Sequence, residues 1–171
     1  MMELFRMSDL GVLSYYLGIE VKQGQRDIKL SQRAYAVKLL EKAGMSGCNP
    51  CSTPMETRLK LSKQGTSPAV DSTTYRSLIG SLRYLLHMRP DLTFSVGHLS
   101  RFMEEPRQEH MAAVKHLLRY VAGTLDFGVT YTRGEEEMRL IGYSDSDMAG
   151  DVDDRKSTTG VIFFLHNNPV S

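Results

Sequence analysis

Residues 75–103 read YRSLIGSLRYLLHMRPDLTFSVGHLSRFM, two amphipathic helices meeting at Arg89-Pro90-Asp91. In the first, Leu78, Ile79, Leu82, Leu85 and Leu86 recur at helical spacing and form one apolar stripe, with Ser72 or Thr73 as the expected N-cap. Gly80 and Ser81 permit close approach of a neighbour, while Arg76 and Arg83 lie off the stripe. Pro90 breaks the run and suits the first turn of a second helix, where Asp91 opposes the positive end of the helix dipole. Val96, Leu99 and Met103 supply that helix's buried side.

Working outward, Pro106 opens a third helix through about Ala122, buried through Ala113, Val114, Leu117, Leu118 and Val121 and stopped by Gly123. Lys115 and Arg119 fall four apart on its other side, and His110 and His116 read as surface residues. Upstream, residues 13–21 and 27–30 are strand-like runs joined by a Gly-containing loop, which predicts a β-hairpin. Ser31 then caps a helix over 32–43 that ends at Gly44. Residues 46–72, rich in Gly, Pro, Ser and Thr, read as a long loop or linker and the segment most prone to move. Downstream the period becomes strand-like at 127–131, 139–143 and 161–165. The expected class is α+β: a hairpin with its helix over 1–45, a loop over 46–72, a helical module over 73–123, and the start of a sheet module over 124–171.

The chain has 171 residues, 41% hydrophobic and 24% charged, as expected of a folded domain or two small ones. No apolar run of membrane length and no secretory leader is present, so the expectation is an intracellular protein, cytoplasmic or nuclear, with no membrane partner. The net charge of +1 conceals an asymmetry: residues 1–133 hold 18 Lys and Arg against 12 Asp and Glu, and 134–171 hold 3 against 8. A basic body is an electrostatic footprint for phosphate, and an acidic cluster is what a divalent cation requires.

The 75–103 stretch, together with Met7-Ser8-Asp9-Leu10-Gly11, Leu17-Gly18-Ile19-Glu20 and Gly142-Tyr143-Ser144-Asp145-Ser146-Asp147, resembles the Pol polyprotein of copia-type retrotransposons. The resemblance covers almost the whole chain. It implies that Tyr15-Tyr16-Leu17-Gly18-Ile19-Glu20-Val21 is a primer-grip hairpin, with Tyr16 and Gly18 at the nucleic acid and Gly18 admitting its backbone. It also implies that residues 75–103 are a reverse-transcriptase thumb set against the minor groove of a template–primer duplex. Arg83, Arg89, Arg101, Lys115 and Arg119 are then its phosphate contacts. The segment from Tyr143 to Asp147 is similar to the first strand of a ribonuclease H domain. Asp145 would be a catalytic residue there, and Asp145 with Asp147 ligands for Mg²⁺.

In that family the polymerase Asp pair precedes the matched segment and further ribonuclease H carboxylates follow it, so the expectation is an RNA–DNA-binding fragment that lacks catalysis alone. Two alternatives stand beside it: a host-adopted module that binds a protein, and a metal-dependent nuclease completed by another Pol chain. A sheet stopping at 161–165 is expected to expose an unpaired edge and to favour dimerisation or strand exchange. Zinc is not expected, since Cys48 and Cys51 have ligand spacing but no second Cys or His pair follows. Asp151-Val152-Asp153-Asp154 is neither a polymerase signature, having no strand around it, nor a calcium loop, having Lys156 where a bidentate Glu is needed.

Overall fold

The computed structural model describes residues 11–134 and 139–170; Met7 to Leu10 of the family-like motif lie outside them. The element order is β1 (Tyr15–Tyr16), β2 (Ile19–Gln23), β3 (Asp27–Ser31), α1 (Arg33–Lys42), α2 (Ser72–Leu85), a 3-10 turn (Pro90–Leu92), α3 (Thr93–Ser100), α4 (Gln108–Gly123), β4 (Gly128–Thr132), β5 (Leu140–Ser146), β6 (Thr159–Leu165) and β7 (Asn168–Pro169). The described residues are therefore mixed α and β, with four α-helices and two antiparallel sheets, β1-β2-β3-β4 and β5-β6-β7.

The helices share one core. Tyr75, Ile79 and Leu82 of α2 meet Val96 and Leu99 of α3 and Val114, Leu117 and Val121 of α4, all at most 1% exposed. Every apolar residue that the spacing assigns to the α4 core is buried there. His110 is the exception to the surface reading: it is fully buried, stacked on Phe102 with ring centroids 4.0 Å apart. Its Nδ1 accepts from the Arg107 N–H at 3.0 Å, which leaves Nε2–H to donate to the Ser62 carbonyl at 3.1 Å. An imidazole thus does the work of a capping side chain.

The starts of α1 and α2 differ from the sequence reading by one residue, α4 begins two residues after Pro106, and Pro90 opens a 3-10 turn ahead of α3. The α2 cap is Asp71, whose carboxylate accepts from the Thr73 and Thr74 N–H groups at 3.2 and 2.9 Å. Ser31 ends β3, and the Ala34 N–H at the start of α1 is bonded by Glu20 from β2 at 2.7 Å. Gly44, at φ 65°, closes α1 with the paired bonds Met45 N–H to Leu40 O and Gly44 N–H to Glu41 O.

Residues 46–71 carry no helix or strand, yet they are strapped to α4. Cys51 N–H bonds the Arg119 carbonyl, Gln108 N–H bonds the Pro68 carbonyl, and Leu61 is 5% exposed in the core. The segment is thus an ordered loop held against the helical module, one of the two forms expected of it.

Strand pairing divides residues 124–171. β4 pairs with β3, from Ser31↔Gly128 to Asp27↔Thr132, and so completes the first sheet. Only β5, β6 and β7 form the second. β6 is its central strand, flanked by β5 along its length and by β7 at Phe164 and Leu165. Among the described residues the far side of β6 is covered only from Phe163 to Leu165, so the open edge expected at 161–165 is kept at Val161 and closed beyond it, and β5 is the sheet's other outer strand.

Candidate nucleic-acid interface

The run 13–21 is not one strand. Leu17 and Gly18, at φ 46° and 80°, form a two-residue turn between β1 and β2, closed by the Tyr16↔Ile19 pair. This turn rests on α2. Tyr84 donates its hydroxyl to the Leu17 carbonyl, and a Cβ on Gly18 would stand 3.4 Å from that hydroxyl oxygen. The Tyr84 ring lies between Tyr35, 4.8 Å away, and His87, 5.4 Å away. Gly18 thus gives close approach to a tyrosine of the same chain, while Tyr16, 61% exposed, faces outward beside it.

From that contact the exposed side of α2 runs back through Arg83, Gly80 and Arg76, with His87 in the turn just past the helix. At 3.6 residues per turn the three helical residues fall within one narrow stripe. Gly80 lies at its middle, and a Cβ built there meets nothing within 4 Å. The close approach that Gly80 allows is therefore not to another helix among the described residues. Arg76 is anchored by its Nε to the Met103 carbonyl at 2.8 Å, and Arg83 has no bonded partner among the described residues.

The other cations of the sequence reading are placed elsewhere. Arg89 is 2% exposed and cannot meet a phosphate as it stands. Its Nε and Nη2 grip both oxygens of Asp91 at 2.9 and 2.8 Å, and it donates to the Thr124 carbonyl and hydroxyl at 2.9 and 2.8 Å. Burial, the largest effect on Asp91, raises its pKa, but the Arg89 bonds and charge with the Tyr120 hydroxyl outweigh it and hold the carboxyl below its ordinary value. Arg119 binds the Asn49 carbonyl at 2.7 Å and holds the long loop. Lys115 is exposed on α4.

Arg101, just past α3, is bonded to Asp151 and, at 2.9 Å, to the Thr158 hydroxyl. Asp153 accepts from the Ser62 hydroxyl and Lys63 N–H at 2.6 and 2.8 Å. The loop between β5 and β6 is thereby docked on the helical module. The Asp154 N–H does most to hold the Asp151 carboxyl down, to about 2; partial burial opposes it, and the Asp153 N–H and Arg101 assist.

Asp145 sits on β5 opposite Gly160, exposed and without a bonded partner among the described residues. Asp147 lies beyond the strand and accepts from the Thr158 N–H at 2.5 Å. No three His, Cys, Asp or Glu side chains among the described residues converge as a metal site. Two carboxylates alone do not fit the several that a pair of hard cations needs. Cys51 Sγ lies 3.6 Å from His116 Nε2, but that nitrogen is 3.0 Å from the Thr53 carbonyl and must donate to it, so it is no base for the thiol.

Tyr84, Glu20 and His87 are the participants that the sequence reading passed over. A tyrosine off the apolar stripe of α2 was the one available signal for the first.

The hairpin is thus seated on a helical module whose exposed side carries Arg76 and Arg83. A family model described as reverse transcriptase (RNA-dependent DNA polymerase) matches residues 1–57. The retrovirus-related Pol polyprotein of transposon RE1 from Arabidopsis thaliana is 42% identical over 167 residues, 98% of this chain and 11% of that polyprotein. That of transposon TNT 1-94 from Nicotiana tabacum is 40% identical over 176 residues, 98% of this chain and 13% of its own length. An uncharacterized mitochondrial protein of Arabidopsis thaliana is 38% identical over 167 residues, 98% of this chain and 69% of that protein. The chain belongs to the reverse-transcriptase-related Pol family of copia-type retrotransposons, and it spans about a tenth of the length of those Pol polyproteins. No solved structure matches it significantly. Among the described residues no helix is long and apolar enough to cross a membrane.

Proposed function

We propose that this chain contacts an RNA–DNA template–primer duplex through the exposed stripe of α2 and the adjoining β1–β2 turn, with Arg83 at the phosphates and Tyr16 at the primer side. The observation that carries this reading is Gly80. A glycine inside an exposed helix costs about 0.5–1 kcal/mol relative to alanine, and no packing among the described residues requires it. Between Arg76, Arg83 and His87 it leaves a shallow gap in which a sugar–phosphate backbone comes against the helix. Family membership supports the choice of ligand. Such contacts position a duplex without reading its sequence.

The test is a titration of the purified chain with a labelled RNA–DNA hybrid at two salt concentrations. Affinity is expected to fall steeply with salt. Arg83→Ala should weaken binding and lower the salt slope by about 1. Gly80→Leu should weaken binding about tenfold, roughly 1.4 kcal/mol, while the variant unfolds at the same temperature or higher. No binding at low salt, or binding indifferent to both substitutions, would overturn the reading.

A further inference from the structure

The acidic run at 151–154, which is neither a polymerase signature nor a calcium loop, lies on the helical module as the occupant of a set of donors. Arg101 gives one Nη to the Asp151 carboxylate and the other to the Thr158 hydroxyl at 2.9 Å. Asp153 takes the Ser62 hydroxyl at 2.6 Å on one oxygen and the Lys63 N–H at 2.8 Å on the other. The Gln64 N–H, 3.1 Å from Ser62 Oγ, fills a lone pair of that hydroxyl and leaves its proton for an acceptor at Asp153. His110 Nε2 fixes the Ser62 carbonyl from the other side at 3.1 Å. These donors belong to the end of α3 and to the 46–71 loop, and their own neighbours aim them at an anion. The Ser62 hydroxyl first, and then the Lys63 N–H, hold the Asp153 carboxyl below its ordinary value.

We infer that residues 151–154 are an autoinhibitory latch: the Asp151 and Asp153 carboxylates cover an oxyanion site made by Arg101, the Ser62 hydroxyl and the Lys63 N–H, which takes a backbone phosphate of the duplex when the loop swings out. This rests on the duplex reading above and adds its regulation. A carboxylate and a phosphodiester each bring one negative charge and oxygen acceptors, and a guanidinium fork binds either, so one replaces the other without leaving the cation bare. The location fits the surface it would regulate. Arg76, at the end of the α2 stripe, is bonded to the Met103 carbonyl, two residues beyond Arg101. Release of the loop does not unseat the second sheet, because the Asn168 side-chain amide bonds the Thr132 N–H and carbonyl at 2.7 and 2.9 Å and tethers β7 to β4. Asp151 also accepts from the Asp153 and Asp154 N–H groups at 2.8 and 3.0 Å, so the loop carries its own turn with it. The opposed charges of 1–133 and 134–171 then have a use: the acidic segment masks part of the basic one.

Titrations of a labelled RNA–DNA hybrid across a salt series test this, comparing the whole chain with Asp151→Asn/Asp153→Asn and recording circular dichroism at the same temperature. Opening the latch should tighten binding about tenfold at low salt and steepen the salt slope by about 1. Asp153→Asn alone, which leaves the turn on Asp151 in place, should give a smaller gain with an unchanged fold. In an Arg101→Ala background the same pair of substitutions should no longer steepen the slope. Equal steepening there would come from the two lost negative charges alone and would overturn the latch. A parent that binds as tightly as both folded variants would also overturn it, and the α2 reading would survive if Arg83→Ala still weakened binding. Binding by the open variant but not by the parent would support the latch and move the duplex off α2, whereas binding by neither would overturn both.

Discussion

Arg89 is held on four sides: by both oxygens of Asp91, by the Thr124 backbone and hydroxyl, and by the Tyr120 and Phe127 rings, 5.6 and 5.4 Å from its guanidinium carbon. It ties the bend before α3 to the end of α4 and the approach to β4. Arg89→Ala leaves the Thr124 carbonyl without its arginine donor and Asp91 with the Tyr120 hydroxyl as its remaining side-chain donor, and should cost about 2–3 kcal/mol, the low side for a buried pair because Asp91 is partly exposed. Arg89→Lys should recover little, since an ammonium cannot reproduce the fork. Urea denaturation measures both, and a loss near zero for Arg89→Ala would contradict the role. The sequence reading located the helix junction at Arg89-Pro90-Asp91 from proline and dipole arguments alone. It put Arg89 on the surface because its burial depends on Thr124, 35 residues away. The same limit applies to His110, whose partners Ser62 and Phe102 belong to a loop and to another turn.

Helical spacing made α2, α3 and α4 legible, because a stripe of apolar residues every three to four positions is a local signal. Caps supplied from elsewhere were not legible: Glu20 reaches α1 from β2, and no spacing rule joins them. The β1–β2 turn was hidden for a different reason. A type I′ turn favours Asn-Gly, and here Leu17 holds the left-handed position that a branched apolar side chain disfavours. Leu17→Asn should therefore stabilise the chain by about 1 kcal/mol, read as a higher thermal midpoint. Unchanged or lower stability would show that the Leu17 side chain contributes packing that offsets its backbone strain.

At the scale of the molecule, the strand periods at 127–131, 139–143 and 161–165 were legible, but their partition between sheets was not, since pairing of β4 with β3 spans most of the chain. The second sheet meets the helices through Asp151 and Asp153. Asp151 is held below the ordinary 3.8, at about 2, so the folded state favours its charged form. Its contribution is complete above the ordinary value and is lost as pH falls from there toward 2. Asp151→Asn should reduce stability at neutral pH and flatten this acid limb relative to the parent, in thermal melts from pH 5 to 2. Identical limbs would refute a role for the Arg101–Asp151 contact in docking the loop. The most direct test of the central claim is hybrid binding by Gly80→Leu beside its thermal stability. A chain that becomes no less stable yet loses binding about tenfold, roughly 1.4 kcal/mol, places the duplex on α2. Unchanged, salt-dependent binding would place it elsewhere.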